Sequence, residues 1–186
     1  MRRLMAWMAA FATLSFTAPA GVSADQGDSR LKPLFARLKA AAGAAEIEMV
    51  EQAIWVIWTR SGDPAIDRLM GDGILHMSRR RFEDALGAFD AVVRSAPGFA
   101  EGWNKRATLH YLMGNYTASI ADIEKTLALE PRHFGALSGL ALVNLGLGNE
   151  ARALKAFEAA LKIYPLMAGH DTHIKALREK FGGRNI

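Results

Sequence analysis

Few side chains in this 186-residue sequence have the types and spacing that chemistry requires. His170 and His173 lie three residues apart, a spacing that can place both imidazoles on one face of a helix. No third ligand is obvious beside them in the sequence, and a zinc site normally takes at least three protein ligands. The chain has no cysteine, which excludes disulfides, thiol nucleophiles and thiolate zinc sites. We therefore predict that the protein holds no metal and no cofactor.

Sequence patterns of other catalytic sites are also missing. Neither a nucleophile elbow nor a phosphate-binding loop occurs, so the sequence favours a protein that is not an enzyme. Three consecutive arginines, Arg79, Arg80 and Arg81, fall in a predicted turn, where a solvated basic tip is favoured over a phosphate or lipid-headgroup site. The formal charge of +4 falls to +2 without Arg2 and Arg3, which belong to the predicted leader. So small a charge does not favour binding to nucleic acid.

The N-terminus has the three parts of a secretory signal peptide. Two arginines precede a mostly apolar run over residues 4–16, and small residues then lead to Ala24. At about 1.5 Å per residue this run is too short to cross a hydrocarbon core of roughly 30 Å. We predict cleavage after Ala24, with Ala20 as the other candidate site. The mature protein is therefore expected to be periplasmic or secreted, with no integral membrane segment.

A period of 34 residues organises the rest of the chain. It superposes Pro97 on Pro131 and Pro165, and it lays Gly114 on Gly148. A fixed period of this length is typical of a solenoid of stacked supersecondary units. Apolar residues recur at helical spacing within each unit, while the glycine can end a first helix and the proline a second. Each unit is therefore predicted to be a pair of helices.

These units resemble the tetratricopeptide repeat (TPR) family, whose signature is a Trp, a small residue four positions on, a mid-unit Gly, a small residue, an aromatic residue and a closing Pro. Residues 66–99, 100–133 and 134–167 each match it in part. The matches are Leu69, Gly73, Phe82, Ala85, Phe89 and Pro97, then Trp103, Ala107, Gly114, Tyr116, Ile123, Leu127 and Pro131, then Leu137, Ala141, Gly148, Ala153, Phe157, Ala160 and Pro165. Arg80 departs from the pattern where the turn glycine is expected. The resemblance implies an all-α, right-handed helical solenoid of about three helix pairs, in which Gly73 allows close helix approach and Trp103 is buried.

Segments on both sides of the repeats are predicted to cover the ends of the solenoid, which otherwise expose apolar surface. Residues 31–42 and 45–60 form a predicted helix pair. Asp63 and Pro64 predict the start of the next helix, as its N-cap and its first residue. A final helix is predicted from about Asp171. The expected organisation is a signal peptide (1–24), N-terminal capping helices (25–65), three repeats (66–167), and a C-terminal capping helix and tail (168–186).

The resemblance also implies a place for a ligand. First helices in this family line an inner face that takes a peptide, and the matching positions are Met70, Ile74, Met77, Asn104, Thr108, Tyr111, Ser138 and Leu142. Apolar and aromatic anchors beside hydrogen-bonding groups suit a peptide with alternating apolar side chains. Some clamp-type members hold a terminal carboxylate with Lys, Arg and Asn on this face. The residues that replace such groups here are Met70, Ile74, Gly135 and Gly139. A carboxylate clamp is therefore not expected.

Two functions stay open at this point. The first is a non-catalytic scaffold of the cell envelope that binds a protein or peptide partner, with Asn104 and Tyr111 as the leading binding residues. The second is an accessory or regulatory subunit of an envelope enzyme or transporter. Trp55 and Trp58 make the second N-terminal helix apolar on more than one side, which favours a buried helix over an exposed interface.

Overall fold

Helices account for all the regular structure in the computed structural model, which describes residues 27–169 and 171–181. The predicted leader and His170 lie outside these residues. None of the described helices is both long enough and apolar enough to cross a membrane. The helices are α1 (Leu31–Ala40), α2 (Ala44–Trp58), α3 (Pro64–Ser78), α4 (Phe82–Ser95), α5 (Ala100–Leu112), α6 (Tyr116–Leu129), α7 (Phe134–Gly146), α8 (Glu150–Ile163) and α9 (Asp171–Phe181).

Three consecutive helix pairs, α3–α4, α5–α6 and α7–α8, form the repeats. Each pair turns through one residue with positive φ: 58° at Arg80, 77° at Gly114 and 73° at Gly148. The first turn therefore has the geometry of the other two, although a side chain is strained there and glycine is not. The predicted all-helical solenoid of three helix pairs is confirmed.

The start of α3 follows the predicted capping pattern. Pro64 is its first residue, and the Asp63 side chain accepts a hydrogen bond from the Ala65 N–H at 2.7 Å. This bond satisfies one of the N–H groups that a helix leaves without an internal partner. The short polar linker before α3 is thereby fixed where the repeats begin.

Close packing inside the first pair depends on one glycine. A Cβ built on Gly73 would lie 2.5 Å from Cε1 of the Phe89 ring, which is fully buried. No larger residue fits without moving that ring, because core side chains are already close-packed. The prediction that Gly73 allows α3 and α4 to approach closely is confirmed.

Trp103 departs from its predicted environment. Its side chain is half-buried, its indole N–H donates to the Pro97 carbonyl at 2.9 Å, and the Arg106 guanidinium lies 4.9 Å above its ring. The expectation that Trp103 is buried between helices is therefore wrong. Its ring is therefore only partly enclosed, and the Arg106 cation lies over one of its faces.

Helices α1 and α2 form an N-terminal hairpin (residues 31–58) that packs against the third repeat. Its buried residues, Ile54 and Trp58 among them, share one apolar cluster with Phe134 of α7 and Tyr164 after α8. Among the described residues, the cluster around Phe89 in the first repeat includes none from the hairpin. The expectation that this hairpin covers the open end of the first repeat is therefore wrong. Its aromatic surface instead meets aromatic partners of the third repeat.

The C-terminal end of the solenoid is covered by α9. Ile174 and Leu177 are buried against Leu154 and Phe157 of α8. The polar residues of α9 face outward, and Arg178 pairs with Glu158 at 3.3 Å. This is the one-sided apolar pattern that a terminal capping helix requires.

Candidate functional site

An apolar groove of about 270 Å³ lies between α5 and α7, with α6 beneath it. We call it the inner groove, because it opens on the face lined by the first helices of the pairs. None of its lining residues carries a charge. They are Asn104, Ala107, Thr108, Tyr111, Leu112, Ser119, Ile123, Gly135, Ser138, Gly139, Leu142 and Val143.

Most of the sequence-predicted binding residues line this groove. They are Asn104, Thr108, Tyr111, Ser138 and Leu142. Three of them already use their polar groups inside the protein. The Asn104 side-chain nitrogen donates to Oε2 of Glu101 at 2.9 Å, and the Ser138 hydroxyl lies 3.3 Å from the sulfur of Met167. Thr108 is exposed at the groove mouth, and its hydroxyl donates to the Asn104 carbonyl at 2.9 Å.

The three predicted residues of α3 do not join the groove. Met70 is only 3% exposed and belongs to the core of the first repeat, so its assignment to an open binding surface is wrong. Met77 is half-buried against the same core, while Ile74 is 39% exposed. Met70 fills the space between helices because its long, flexible side chain turns inward, away from the solvent.

Gly135 and Gly139, which the sequence analysis placed at clamp positions of the inner face, line the groove. A Cβ built on Gly139 would meet only Cδ1 of Ile123, at 3.7 Å, so the space above this residue is open. A Cβ on Gly135 would lie 2.9 Å from Cη2 of Trp55. Gly139 stands inside α7 at a cost of roughly 0.5–1 kcal/mol relative to Ala, whereas Gly135 lies in the first turn of the helix. The cost at Gly139 was the signal in the sequence that a packing or binding requirement exists here.

A buried polar cluster lies where α5 and α7 begin. Glu101 is 1% exposed, and its carboxylate is 3.0 Å from Nε2 of His133 and 2.9 Å from the amine of Lys105. Nδ1 of His133 accepts the Ala136 N–H at 3.0 Å, so this nitrogen carries no proton. Nε2 of His133 must therefore donate to Glu101.

The charge of Glu101 is stabilised by these partners. Burial alone would raise the pKa of this carboxyl. The hydrogen bond from His133 and the positive charge of Lys105 outweigh burial, so the pKa of Glu101 lies below its ordinary value. The cluster thus keeps an ionised carboxylate inside the protein, and it links α5 to the start of α7.

The N-terminal hairpin covers this cluster with two tryptophans. Trp58 stacks on His133, with ring centroids 4.2 Å apart and planes 9° from parallel. Trp55 meets His133 edge-on at 5.6 Å, and its ring lies 5.6 Å from the amine of Lys105. The face of α2 that carries the two tryptophans is therefore enclosed, while Met49 and Val56 are exposed on another face of the same helix.

A polar contact joins the hairpin to the end of α8. The Tyr164 hydroxyl donates to Glu51 of α2 at 3.0 Å. Burial, together with the neighbouring carboxylate, raises the pKa of Tyr164 to about 12, so this hydroxyl keeps its proton at neutral pH. The hairpin is therefore held by hydrogen bonds as well as by apolar packing.

The fold defines a helical-repeat protein with an open groove on its inner face. Residues 72–122 and 105–168, which together span 72–168, match the family model described as Tetratricopeptide repeat. The chain therefore belongs to the tetratricopeptide repeat family.

Individual relatives agree with this assignment. A TPR repeat-containing protein of Rhizobium etli is 39% identical over 154 residues, which cover 83% of this chain and 76% of that protein. Two solved structures share the fold, each with a TM-score of 0.60. The Sgt2 TPR domain of Aspergillus fumigatus is 19% identical over 64% of this chain and 81% of that chain. The first TPR domain of Spaghetti (RPAP3), bound to the HSP90 peptide SRMEEVD, is 14% identical over 63% of this chain and 94% of that chain.

Proposed function

We propose that this protein is a non-catalytic interaction scaffold of the cell envelope, and that it binds a protein or peptide segment in the inner groove. The observation that carries this proposal is the groove between α5 and α7, an open apolar surface whose lining includes five of the positions that the sequence predicted for binding. Proteins of this family generally act as interaction scaffolds. A solved neighbour holds a peptide, which supports a peptide ligand here.

The chemistry of the groove points to an uncharged, apolar ligand segment. The HSP90 peptide held by the Spaghetti domain has three acidic residues. No Lys or Arg lines the inner groove of this protein, so such a peptide would lose the hydration of its charges without gaining ionic partners. Apolar side chains have no charge hydration to lose, and their burial in the groove is favourable.

The envelope location is supported by residues 1–24, which have the charge, the apolar length and the small-residue exit of a signal peptide. Export would bring the groove into contact with envelope proteins. The intact mass of the protein from its own cells tests this proposal, because a mature chain beginning after Ala24 is expected. A mature species that retains residues 1–24 would return the protein to the cytoplasm.

Filling the groove tests the binding site directly. Gly139→Leu places a side chain in the open space above α7, where its Cβ meets only Ile123. Gly87→Leu is the matched control, since Gly87 is an exposed residue within α4 and a Cβ there meets nothing within 4 Å. Both changes improve helix propensity by up to about 1 kcal/mol, so neither should unfold the chain.

The partner is first captured by cross-linking in intact cells and identified by mass spectrometry. We expect Gly139→Leu to weaken its binding at least about tenfold, or roughly 1.4 kcal/mol, while Gly87→Leu leaves the dissociation constant unchanged. A partner that binds both variants equally well would remove the inner groove from the proposal. If the partner is an enzyme or transporter whose activity changes on binding, the protein acts as an accessory subunit.

A further inference from the structure

The N-terminal hairpin lies against Gly135, one of the residues that line the inner groove. Trp55 lies against Gly135 and Phe134 of α7, with its ring 5.6 Å from that of Phe134. The same indole is 5.6 Å from the amine of Lys105 on α5. A single side chain therefore bridges both walls of the groove near the first turns of the two helices.

The position of Trp55 is fixed from both sides. Its indole N–H donates to Glu51 at 3.3 Å, and its ring packs edge-on against Trp58 at 5.4 Å. Trp58 in turn stacks on His133, whose partner is the buried Glu101. Displacing Trp55 would disturb this whole cluster, so a ligand in the groove meets a fixed wall.

The other end of the groove is open. Leu112 on α5 is 51% exposed, Thr108 is exposed, and Tyr111 and Leu142 are half-buried at the rim. A cavity of about 150 Å³ lined by aliphatic and aromatic side chains binds benzene. A groove of about 270 Å³ therefore holds one bulky apolar side chain and part of its backbone, but not a peptide running the length of the inner face.

We infer that the inner groove is a one-ended socket for a single bulky, uncharged side chain of a partner protein, with Trp55 as its end wall. This inference rests on the proposed function and adds the size and chemistry of the anchor. The hairpin thereby becomes part of the binding site, and the length of the anchor is limited by the distance from the rim to the indole. Charged anchors are disfavoured because no charged group lines the socket.

A peptide selected on the protein from a library of short linear sequences serves as the probe. Alanine replacement along that peptide should reveal one apolar position that carries most of the affinity. The anchor is then replaced with 4-phenylphenylalanine, whose side chain is one ring longer than that of phenylalanine. This change should weaken binding to the unaltered protein at least about tenfold. Even one methylene in an apolar pocket changes recognition by roughly 10–200-fold.

Shortening the wall should restore the long anchor. Trp55→Leu is expected to bind the 4-phenylphenylalanine peptide at least about tenfold more tightly than the unaltered protein does, which reverses the preference between the two anchors. Trp103→Leu makes the same change outside the groove and should leave the preference as it was. Trp55→Phe, which keeps a ring at the hairpin interface, replaces Trp55→Leu if circular dichroism shows that the latter has lost helix.

The outcomes separate the two proposals. If no selected peptide is sensitive to Gly139→Leu, the proposed function itself fails. If a peptide does bind the groove but the unaltered protein accepts both anchors equally, or if affinity is spread over several positions, the socket is wrong while the binding site stands. Failure of both Trp55 variants to change the anchor preference would likewise exclude Trp55 as the wall.

Discussion

The two junctions between first helices differ in what fills them. Between α3 and α5, Met70 is buried in one apolar cluster with Leu109 of α5. Between α5 and α7, the positions one period after Glu101 and Lys105 are Gly135 and Gly139, and a groove lies open. The backbone pattern is the same at both junctions. The difference shows that a repeat array can open a groove by leaving out side chains, without changing the fold.

The same comparison explains where the hairpin docks. Gly135 has no side chain, so Trp55 can approach the backbone of α7 closely. The equivalent Glu101 on α5 is buried beneath the hairpin and paired with His133. Gly135 on α7 therefore leaves room for the indole of Trp55. The equivalent residue on α5, Glu101, holds the start of α7, against which that indole packs.

The largest expected effect concerns the filled junction. Met70→Ala should lower the free energy of unfolding by about 2–5 kcal/mol, because it leaves a cavity in the core of the first repeat. Ile74→Ala, one turn further along the same helix, removes a partly exposed side chain and should cost about 1 kcal/mol or less. Chemical denaturation followed by circular dichroism measures both. Equal losses would mean that the two α3 residues share one environment, and the contrast between the junctions would be lost.

A change of pH is expected to have an intermediate effect on the free energy of unfolding. The pKa of Glu101 is lowered in the folded protein, so the stability that its ionised form contributes is fully present above the ordinary pKa and is lost as pH falls through the folded value. Each unit of lowering corresponds to about 1.4 kcal/mol. Glu101→Gln should therefore be less stable than the unaltered protein at neutral pH, and the gap should narrow below the ordinary pKa of a glutamate.

Denaturation at a series of pH values measures that gap. Lys105 and His133 are the charged and titratable partners facing Glu101, so Lys105→Met should reduce the gap at neutral pH as well. A gap that stays constant from neutral to acid pH would show that Glu101 is not ionised in the folded protein. The polar cluster would then contribute through hydrogen bonds alone.

The smallest effect is expected at the first turn. Arg80 has a φ of 58°, whereas glycine occupies the same place in the other two turns. Arg80→Gly removes the strain of a side chain in the left-handed region but makes the unfolded chain more flexible. We expect a net gain of about 1 kcal/mol or less in the free energy of unfolding, measured by thermal and chemical denaturation. A loss of stability would mean that the added flexibility of the unfolded chain and the lost contact of Arg80 with the Phe82 ring together outweigh the backbone strain.

The repeat architecture could be predicted because its signals are local and repeated. The 34-residue period, the turn glycines and the Asp63 cap each act within a few residues, so neighbouring sequence is enough to place them. Trp103 was misplaced because the family signature specifies a residue type and not its exposure. Met70 was misplaced because a register identifies a helix face but not whether a flexible side chain turns into the core.

By itself, the sequence determined the number of helix pairs, their boundaries and the replacement of clamp groups by Gly135 and Gly139, all of which follow from residue type and spacing along the chain. Only the tertiary structure decided that the N-terminal hairpin lies on the third repeat and that Trp55 stands at the end of the groove. Those contacts join residues far apart in the sequence, such as Glu51 and Tyr164. They depend on which apolar and aromatic surfaces fit together once the repeats have stacked, and no local pattern encodes that fit.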